Sequence, residues 1–152
     1  MTTTYRKATI SDLKTLTELS CELYCGDYSD KHEYDELYVS NKNDLTDEKM
    51  AFFVAYYDEK PIGFSHVYVR HEYVIGTDNS PAGYLEGLYI RDGYKGKGIA
   101  RQLVALCEDF SREHGCTELA SDCELGNDNS LAFHLKIGFE ETERLIFFRK
   151  EL

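Results

Sequence analysis

The stretch with the clearest chemical potential is glycine-rich and runs from Leu85 to Leu103, with the sequence LEGLYIRDGYKGKGIARQL. A strand is predicted to end at Ile90 and a helix to begin at Gly98, and the residues after Ile90 up to and including Gly98 hold three glycines and two lysines. Glycines let backbone N–H groups turn toward one point, and a helix N-terminus adds about half a positive charge. The stretch therefore predicts a phosphate or pyrophosphate site, with a tight strand–helix turn as the alternative.

Two common nucleotide-binding loops are excluded by the same stretch. It has no GxxxxGK[ST] pattern, which disfavours nucleoside triphosphate hydrolysis. Gly96 and Gly98 begin a GxGxxG pattern, but Arg101 stands where its third glycine belongs.

The hydrophobic pattern predicts the elements that must position this loop. After a strand at 5–10, Ser11 is a favourable N-cap for a helix, and the stretch 18–48 is expected to hold a helix, a loop and a second helix. Strands are predicted at 51–57, 62–69, 84–90, 117–121 and 144–150, and helices at 98–114 and 128–136. This order predicts one α+β domain over 1–152, with a mixed central sheet flanked by helices.

Charge and the absence of long apolar runs disfavour nucleic-acid-binding, membrane-spanning and secreted proteins. The chain has 152 residues and a formal charge of −11, which opposes nucleic-acid binding and suits either a cationic ligand or plain solubility. No apolar run is long enough for a membrane span and no signal peptide is evident, so we expect a cytoplasmic protein. Five cysteines at irregular spacing predict free thiols, and the scattered histidines predict no metal site.

An acidic segment precedes the sheet's central strands. Between Glu18 and Glu48 lie ten acidic and two basic residues, with four interleaved tyrosines. The segment is either a solvated surface or an acidic, aromatic wall for a polycation.

The glycine-rich loop also carries a family resemblance. Lys95–Ala100 (KGKGIA) resembles the R-x-x-G-x-[GA] signature of GNAT N-acetyltransferases, with Lys95 in place of the usual Arg, and Asn127 with Lys136–Phe139 resembles their Asn…K-x-G-F ending. Five further blocks are similar to bacterial aminoglycoside 6′-N-acetyltransferases: Arg70–Gly76, Ser80-Pro81, Leu85–Leu88, Ala120–Asp122 and Gly138–Arg144.

The resemblance implies the GNAT fold and acetyl-CoA as the co-substrate. It places the diphosphate on the loop amides and the pantetheine arm along the strand before the loop. The implied cofactor-binding residues are Leu88, Tyr89, Ile90, Lys95, Gly96, Lys97, Gly98, Ile99, Ala100, Arg101 and Asn127. Exposed strand amides are suited to an amide-bearing arm and to polarising a thioester carbonyl.

The resemblance also implies an acceptor site for an aminoglycoside and resistance to these antibiotics. The implied substrate-binding residues are Tyr24, Tyr73, Glu86, Asp122 and, from a neighbouring subunit of a homodimer, Glu143. Tyr24 stands where close relatives often carry Trp. Glu86 and Asp122 are expected to be buried acids that pair with ammonium groups, because charge pairs are stronger in a low dielectric.

Transfer to an amine requires a base. The target ammonium must lose a proton before or during attack on the thioester, and either Asp122 or Glu86, directly or through a water, is expected to receive it. His134 occupies the position of a tyrosine that can protonate the leaving thiolate, and it is either that acid or a packing residue. We expect direct transfer in a ternary complex.

Two alternative functions are compatible with the same fold. The acceptor could be a polyamine, a protein N-terminus or a small metabolite amine. Alternatively, the chain could be a degenerate member of the fold that binds CoA as a sensor or acts by association with another protein.

Overall fold

A five-stranded sheet organises the molecule. In the computed structural model, which describes residues 2–152, the strands follow the sequence order β1 to β5 across the sheet. The strands are β1 Thr3–Lys7, β2 Met50–Tyr57, β3 Lys60–Arg70, β4 Ala82–Ile90 and β5 Leu119–Ala120. β1 to β4 pair antiparallel and β5 runs parallel to β4, so the mixed sheet predicted from the sequence is confirmed.

Four helices flank the sheet. They are α1 Leu13–Cys25, α2 Lys31–Leu45, α3 Ile99–Glu113 and α4 Asp128–Lys136, and a 3₁₀ turn at Ile10–Asp12 precedes α1. α2 begins after Asp30, whose carboxylate accepts hydrogen bonds from the backbone N–H groups of His32 and Glu33. None of the helices among residues 2–152 is long and apolar enough to cross a membrane.

The sheet has an apolar layer on each face. On one face, α3 buries Leu103, Val104 and Cys107 against strand residues such as Val67 and Leu85. On the other face, Leu16 and Leu19 of α1 pack with Phe52, Val54 and Phe64. Alternation along the strands gives each face its own set of side chains.

β4 and β5 separate shortly after they meet. Their pairing consists of Gly83 with Leu119 and Tyr84 with Ala120. Beyond Tyr84, the edge of β4 that faces away from β3 pairs with no strand in the described chain. The separation leaves backbone groups of β4 available to a ligand.

β4 also contains a bulge. His66 of β3 lies opposite Gly87, and the next β3 residue, Val67, lies opposite Leu85. Glu86 is therefore the extra residue on β4, and such bulges re-aim side chains next to functional sites.

Three expectations about the elements are wrong in detail. The strand expected at 5–10 ends at Lys7, and the one expected at 117–121 shortens to two residues. Ser11 lies inside the 3₁₀ turn, and Asp12 is the residue that precedes α1. The shift arises because the Asp12 carboxylate accepts from the backbone N–H of Thr9 and closes the turn before the helix starts.

The strand predicted at 144–150 is not formed. Its alternating apolar residues favour a strand, but a strand requires a partner edge, and no backbone hydrogen bond links residues 140–152 to the sheet in the described chain. Leu145, Ile146, Phe147 and Phe148 are 49%, 76%, 86% and 90% exposed. An apolar segment of this kind is unusual on a surface with nothing packed on it.

Candidate active site

The loop between β4 and α3 has the geometry of an anion site. Gly96 and Gly98 have positive φ angles of 76° and 80°, which side-chain-bearing residues rarely adopt. Gly98 directly precedes α3, and no side chain caps the first N–H groups of that helix. The 15-residue helix thus presents free N–H groups and the positive end of its dipole to solvent.

Cationic side chains surround the same loop. Lys95 pairs with Asp92 at 3.0 Å, and the Lys97 ammonium lies 5.8 Å from the Tyr94 ring centre. The Arg101 guanidinium reaches the Lys136 carbonyl of α4 at 3.5 Å, so Arg101 lies between the two helices. These exposed residues and the glycines are the predicted phosphate-binding set, and the structure brings them together.

The end of β4 is anchored to α1. The Tyr89 hydroxyl donates to Glu22 at 3.0 Å, and Arg91 donates to both carboxylate oxygens of Glu22 at 2.7 and 3.0 Å. Burial and Glu22 raise the pKa of Tyr89 to about 12. The Tyr89 side chain therefore has a structural role. Leu88, Tyr89 and Ile90 present backbone N–H and C=O groups to a co-substrate.

Glu86 and Asp122 lie at the same level of the separating strands. Each follows the last β4–β5 pair by two residues, because that pair is Tyr84 with Ala120. Both were expected to be buried, but Glu86 is only partly buried and Asp122 is exposed. Asp122 is exposed because β5 has already ended and no element of the described chain covers the residues after it.

Glu86 has a partner that the sequence did not reveal. Arg70 of β3 donates to the Glu86 carboxylate at 2.5 Å, and its guanidinium lies 4.0 Å from the Tyr84 ring centre. By contrast, the Asp122 carboxylate makes no hydrogen bond or ion pair within residues 2–152. The period-2 pattern along β3 places His66, Tyr68 and Arg70 on one face of the strand, but it does not identify Glu86 as the partner of Arg70.

The other acceptor residues differ in how close they come to Glu86. Tyr24, at the end of α1, donates to the Glu86 carbonyl at 3.4 Å. Tyr73 is 75% exposed, and neither it nor the exposed Glu143 makes a hydrogen bond or ion pair in the described chain. Thr142, next to Glu143, lies against Gly76, so the C-terminal segment passes beside the β3–β4 connection.

Asn127 and His134 already have intramolecular roles. The Asn127 side chain caps α4 by accepting from the Ser130 N–H at 3.2 Å. His134 Nδ1 lies 2.7 Å from the Ser130 carbonyl, and Nε2 lies 2.7 Å from the Ser121 hydroxyl. Since a carbonyl can only accept, Nδ1 carries the proton of the neutral ring, and Nε2 accepts from Ser121.

Two thiols, the buried Cys107 and the partly buried Cys25, are poorly suited to act as nucleophiles. Burial raises the pKa of Cys107 to about 12 and, with a contribution from Glu33, that of Cys25 to about 11. The reactive form of cysteine is the thiolate, so these two side chains are inert at neutral pH. In the part of the chain that the structure describes, no three His, Cys, Asp or Glu residues are arranged to hold a metal ion.

Comparison with known proteins identifies relatives along nearly the whole chain. A protein named aminoglycoside N(6′)-acetyltransferase type 1 from Stenotrophomonas maltophilia is 40% identical over 150 residues, covering 98% of this chain and 94% of the relative. A protein of the same name from Salmonella typhimurium is 39% identical over 119 residues, covering 78% and 82%.

Solved structures give the same result. AAC(6′)-Iy in complex with the bisubstrate analogue CoA-S-monomethyl-acetylneamine superposes with a TM-score of 0.91 at 33% identity and covers both chains completely. AAC(6′)-Ih from Acinetobacter baumannii superposes with a TM-score of 0.89 at 32% identity, covering 99% of each chain. The fold predicted from the resemblance is confirmed, and the CoA-based ligand of AAC(6′)-Iy agrees with the expected co-substrate.

The model of the acetyltransferase (GNAT) family matches residues 13–139, which include the separating strands and the glycine loop. The chain therefore belongs to the GNAT acetyltransferase family.

Proposed function

We propose that this protein transfers the acetyl group of acetyl-CoA to the 6′-amine of aminoglycoside antibiotics. The observation that carries the proposal is the separation of β4 and β5, with the glycine loop following β4 and Glu86 and Asp122 level with each other beside the gap. The names of the relatives support the choice of acceptor. Acetylation converts one ammonium of the antibiotic to a neutral amide, and we propose that this confers resistance on cells whose cytoplasm holds the enzyme.

The residues present fit acetyl-CoA. Gly96 and Gly98 have open space where a Cβ would lie, so a phosphate can approach their backbone closely. The backbone of Leu88, Tyr89 and Ile90 can bind an amide-bearing arm as an added strand would, since that edge of β4 is unpaired in the described chain. Bound there, acetyl-CoA would supply the activated acetyl group.

Acceptor binding rests on charge. An aminoglycoside carries several ammonium groups, and the protein carries a formal charge of −11. Glu86 and Asp122 supply carboxylates at the gap, Tyr24 supplies aromatic surface beside Glu86, and the exposed Tyr73 is proposed to add a second aromatic ring.

We assign the base role to Asp122. The Arg70 guanidinium occupies one oxygen of Glu86, which suits that carboxylate to holding a cation in place. Asp122 has no competing partner within residues 2–152, so it can accept the proton that the 6′-ammonium loses, directly or through a water. The neutral nitrogen then bonds to the acetyl carbonyl carbon, the C–S bond breaks, and the thiolate leaves, in a ternary complex without an acetylated enzyme.

The exposed C-terminal segment supports a homodimer. Leu145 to Phe148 form a continuous apolar stretch that nothing in this chain covers among the described residues. We propose that a second copy covers it and that Glu143, three residues before Ile146, enters the acceptor site of that copy.

The test is an assay of free thiol release from acetyl-CoA with kanamycin, tobramycin or spermine as the acceptor. Turnover with the aminoglycosides alone, with NMR locating the new amide at the 6′ position, is the expected result. Turnover with spermine alone would move the acceptor to polyamines, and binding of CoA without turnover would indicate a sensor. Intersecting double-reciprocal plots are expected for a ternary complex, and parallel plots would contradict it.

The variant Asp122→Asn tests which of the two carboxylates, Asp122 or Glu86, is the general base. If Asp122 is the base, kcat falls by about a hundredfold or more while the KM for kanamycin changes little. Glu86→Gln is the comparison, and its main effect should be on the KM. A reversal of the two patterns would transfer the base role to Glu86.

A further inference from the structure

Asp44, near the end of α2, is a carboxylate without a cation. Its side chain is 24% exposed, and no Lys or Arg of residues 2–152 lies within 4 Å of it. Burial, with smaller contributions from Asp47 and Glu86, raises the pKa of Asp44. A carboxylate that is largely removed from water and lacks a partner is costly for the folded state, so its position requires an explanation.

The Asp44 carboxylate lies close to His66 of β3. Its Nε2 lies 3.7 Å from the Asp44 carboxylate, too far for a hydrogen bond, and this buried nitrogen has no hydrogen-bond partner in the described chain. The ring stacks on Phe52 with 3.9 Å between ring centres. Burial lowers the pKa of His66 to about 4, so the ring is neutral at pH 7 and does not neutralise Asp44.

These two residues lie beside the acceptor residues already described. His66 is opposite Gly87 in the β3–β4 ladder, immediately next to Glu86 in the bulge. A Cβ on Gly87 would lie 2.9 Å from the Tyr24 hydroxyl and 3.8 Å from the His66 Cβ. Tyr24, His66 and Glu86 therefore converge on one short stretch of β4, and the Asp44 carboxylate of α2 lies 3.7 Å from the His66 ring.

The charges of this region are not balanced. Glu86 has Arg70 as its partner, and Asp47 accepts a hydrogen bond from the backbone N–H of Lys49. Of these three carboxylates, only Asp44 has neither a cation nor a hydrogen-bonded N–H group among the described residues. The acceptor region thus carries one unpaired, half-buried negative charge, which an ammonium group would neutralise.

We propose that Asp44 binds an ammonium group of the acceptor other than the one that is acetylated, and that His66 positions the Asp44 carboxylate. This inference rests on the proposed function and adds a specificity-determining carboxylate to it. The flat stacking of His66 on Phe52 fixes Nε2 under the carboxylate. A shift of about 0.7 Å would close the 3.7 Å separation to a hydrogen bond and turn Asp44 toward the sheet.

The test compares steady-state constants of Asp44→Asn and the wild type with kanamycin and acetyl-CoA. The KM for kanamycin should rise roughly tenfold or more, since one charge-assisted contact is lost, while kcat and the KM for acetyl-CoA stay within about twofold. The control is Glu113→Gln at the end of α3, an exposed residue without side-chain contacts in the described chain, which removes one negative charge from the opposite face. If Asp44→Asn folds poorly, Asp44→Glu keeps the charge, displaces the carboxylate, and should also raise the KM for kanamycin.

His66 is tested by two substitutions with different chemistry. His66→Phe keeps the stacked ring and loses the nitrogen, and it should raise the KM for kanamycin severalfold. His66→Gln places an amide near the position of Nε2 and should restore most of the affinity at an equal thermal midpoint. Equal KM values in these two variants would overturn the positioning role.

The outcomes separate this inference from the proposed function. A wild type that acetylates kanamycin, with an unchanged KM in both Asp44 variants, overturns the role of Asp44 and leaves the proposed function intact. A wild type that acetylates no aminoglycoside overturns both. A rise in the KM for acetyl-CoA equal to that for kanamycin also contradicts a role confined to the acceptor.

Discussion

The Arg70 guanidinium binds the Glu86 carboxylate across the β3–β4 ladder, with 2.5 Å between Nη2 and Oε1. Both side chains are more than two-thirds buried, at 29% and 27% exposed, so solvent screens the pair only in part. Glu86 is the extra residue of the β4 bulge, and the ion pair therefore fixes the direction in which the bulge presents its carboxylate.

Replacing Arg70 by Gln should impair acceptor binding more than folding. Without the guanidinium, Glu86 is free to rotate and repels Asp44, so kcat/KM for kanamycin is expected to fall by about tenfold. The free energy of unfolding should fall by about 1–2 kcal/mol. Arg112→Gln is the control, because it removes two exposed ion pairs on α3, with Glu108 and Asp109, and should change neither quantity measurably. Retention of the full kcat/KM in Arg70→Gln would show that the backbone of the bulge alone fixes the direction of the Glu86 carboxylate.

The left-handed conformation of Gly98 gives a second prediction, for the co-substrate. Gly98→Ala places a Cβ on a backbone with a φ of 80°, at a cost of about 1–2 kcal/mol, and reorients the first amides of α3. The KM for acetyl-CoA should rise about fivefold or more, because those amides are expected to bind its diphosphate. Gly115→Ala is matched to it, since Gly115 has a φ of 83° and open space around it but follows the other end of α3. If Gly115→Ala raises the KM for acetyl-CoA equally, the rise in Gly98→Ala reflects a loss of stability and not a loss of diphosphate binding.

Much of the framework could be predicted from the sequence because local patterns determine it. The apolar stripe of α3 and the glycines before it predicted both ends of that helix to within one residue. The bounds of α4 were predicted without error. The family signature lies in the same local stretch, which is why the loop and its helix were the most reliable part of the prediction.

The side-chain partnerships depend on packing and could not be predicted from sequence spacing. The pairing of Arg70 with Glu86 depends on a strand register that the bulge shifts by one residue. Asp44 and His66 meet because α2 packs across the sheet, and no sequence spacing encodes that contact. The segment 144–150 has the pattern of a strand, but the partner it requires is not within the described chain.

A third prediction concerns stability at acid pH and depends on Asp12. Hydrogen bonds from Arg6, at 2.6 and 2.8 Å, hold the pKa of this buried carboxyl below its ordinary value of 3.8. The folded state therefore stabilises the ionised form: the contribution is complete above the unfolded pKa and is lost as the pH falls through the lower folded pKa. Asp12→Asn should cost about 1–3 kcal/mol at pH 7.

Urea denaturation from pH 7 to pH 2 measures this contribution. The wild type should lose more stability than Asp12→Asn over that range, so the two curves converge at acid pH. Asp109→Asn removes an exposed carboxylate of α3 and should follow the wild type throughout. Curves for Asp12→Asn and the wild type that remain parallel would contradict the linkage.

The last prediction concerns the proposed dimer, in which Glu143 of one copy enters the acceptor site of the other. Replacing Phe147 and Phe148 together by Ser should convert the protein to a monomer in light scattering, because these side chains are 86% and 90% exposed and require a partner surface. Leu125→Ser is the control, since Leu125 is 75% exposed outside the C-terminal segment and its loss should leave the dimer intact. A double variant that keeps the wild-type mass would exclude this segment from the interface.

Subunit mixing then tests which copy supplies Glu143. Glu143→Gln and Asp122→Asn should each be impaired as homodimers, whereas a mixed dimer should contain one site with neither substitution if Glu143 acts across the interface. Refolding an equimolar mixture would therefore recover about a quarter of the wild-type activity, because half of the dimers are mixed and each has one complete site. If Glu143 instead acts within its own chain, mixing restores nothing, and the mixture shows only the mean activity of the two variants.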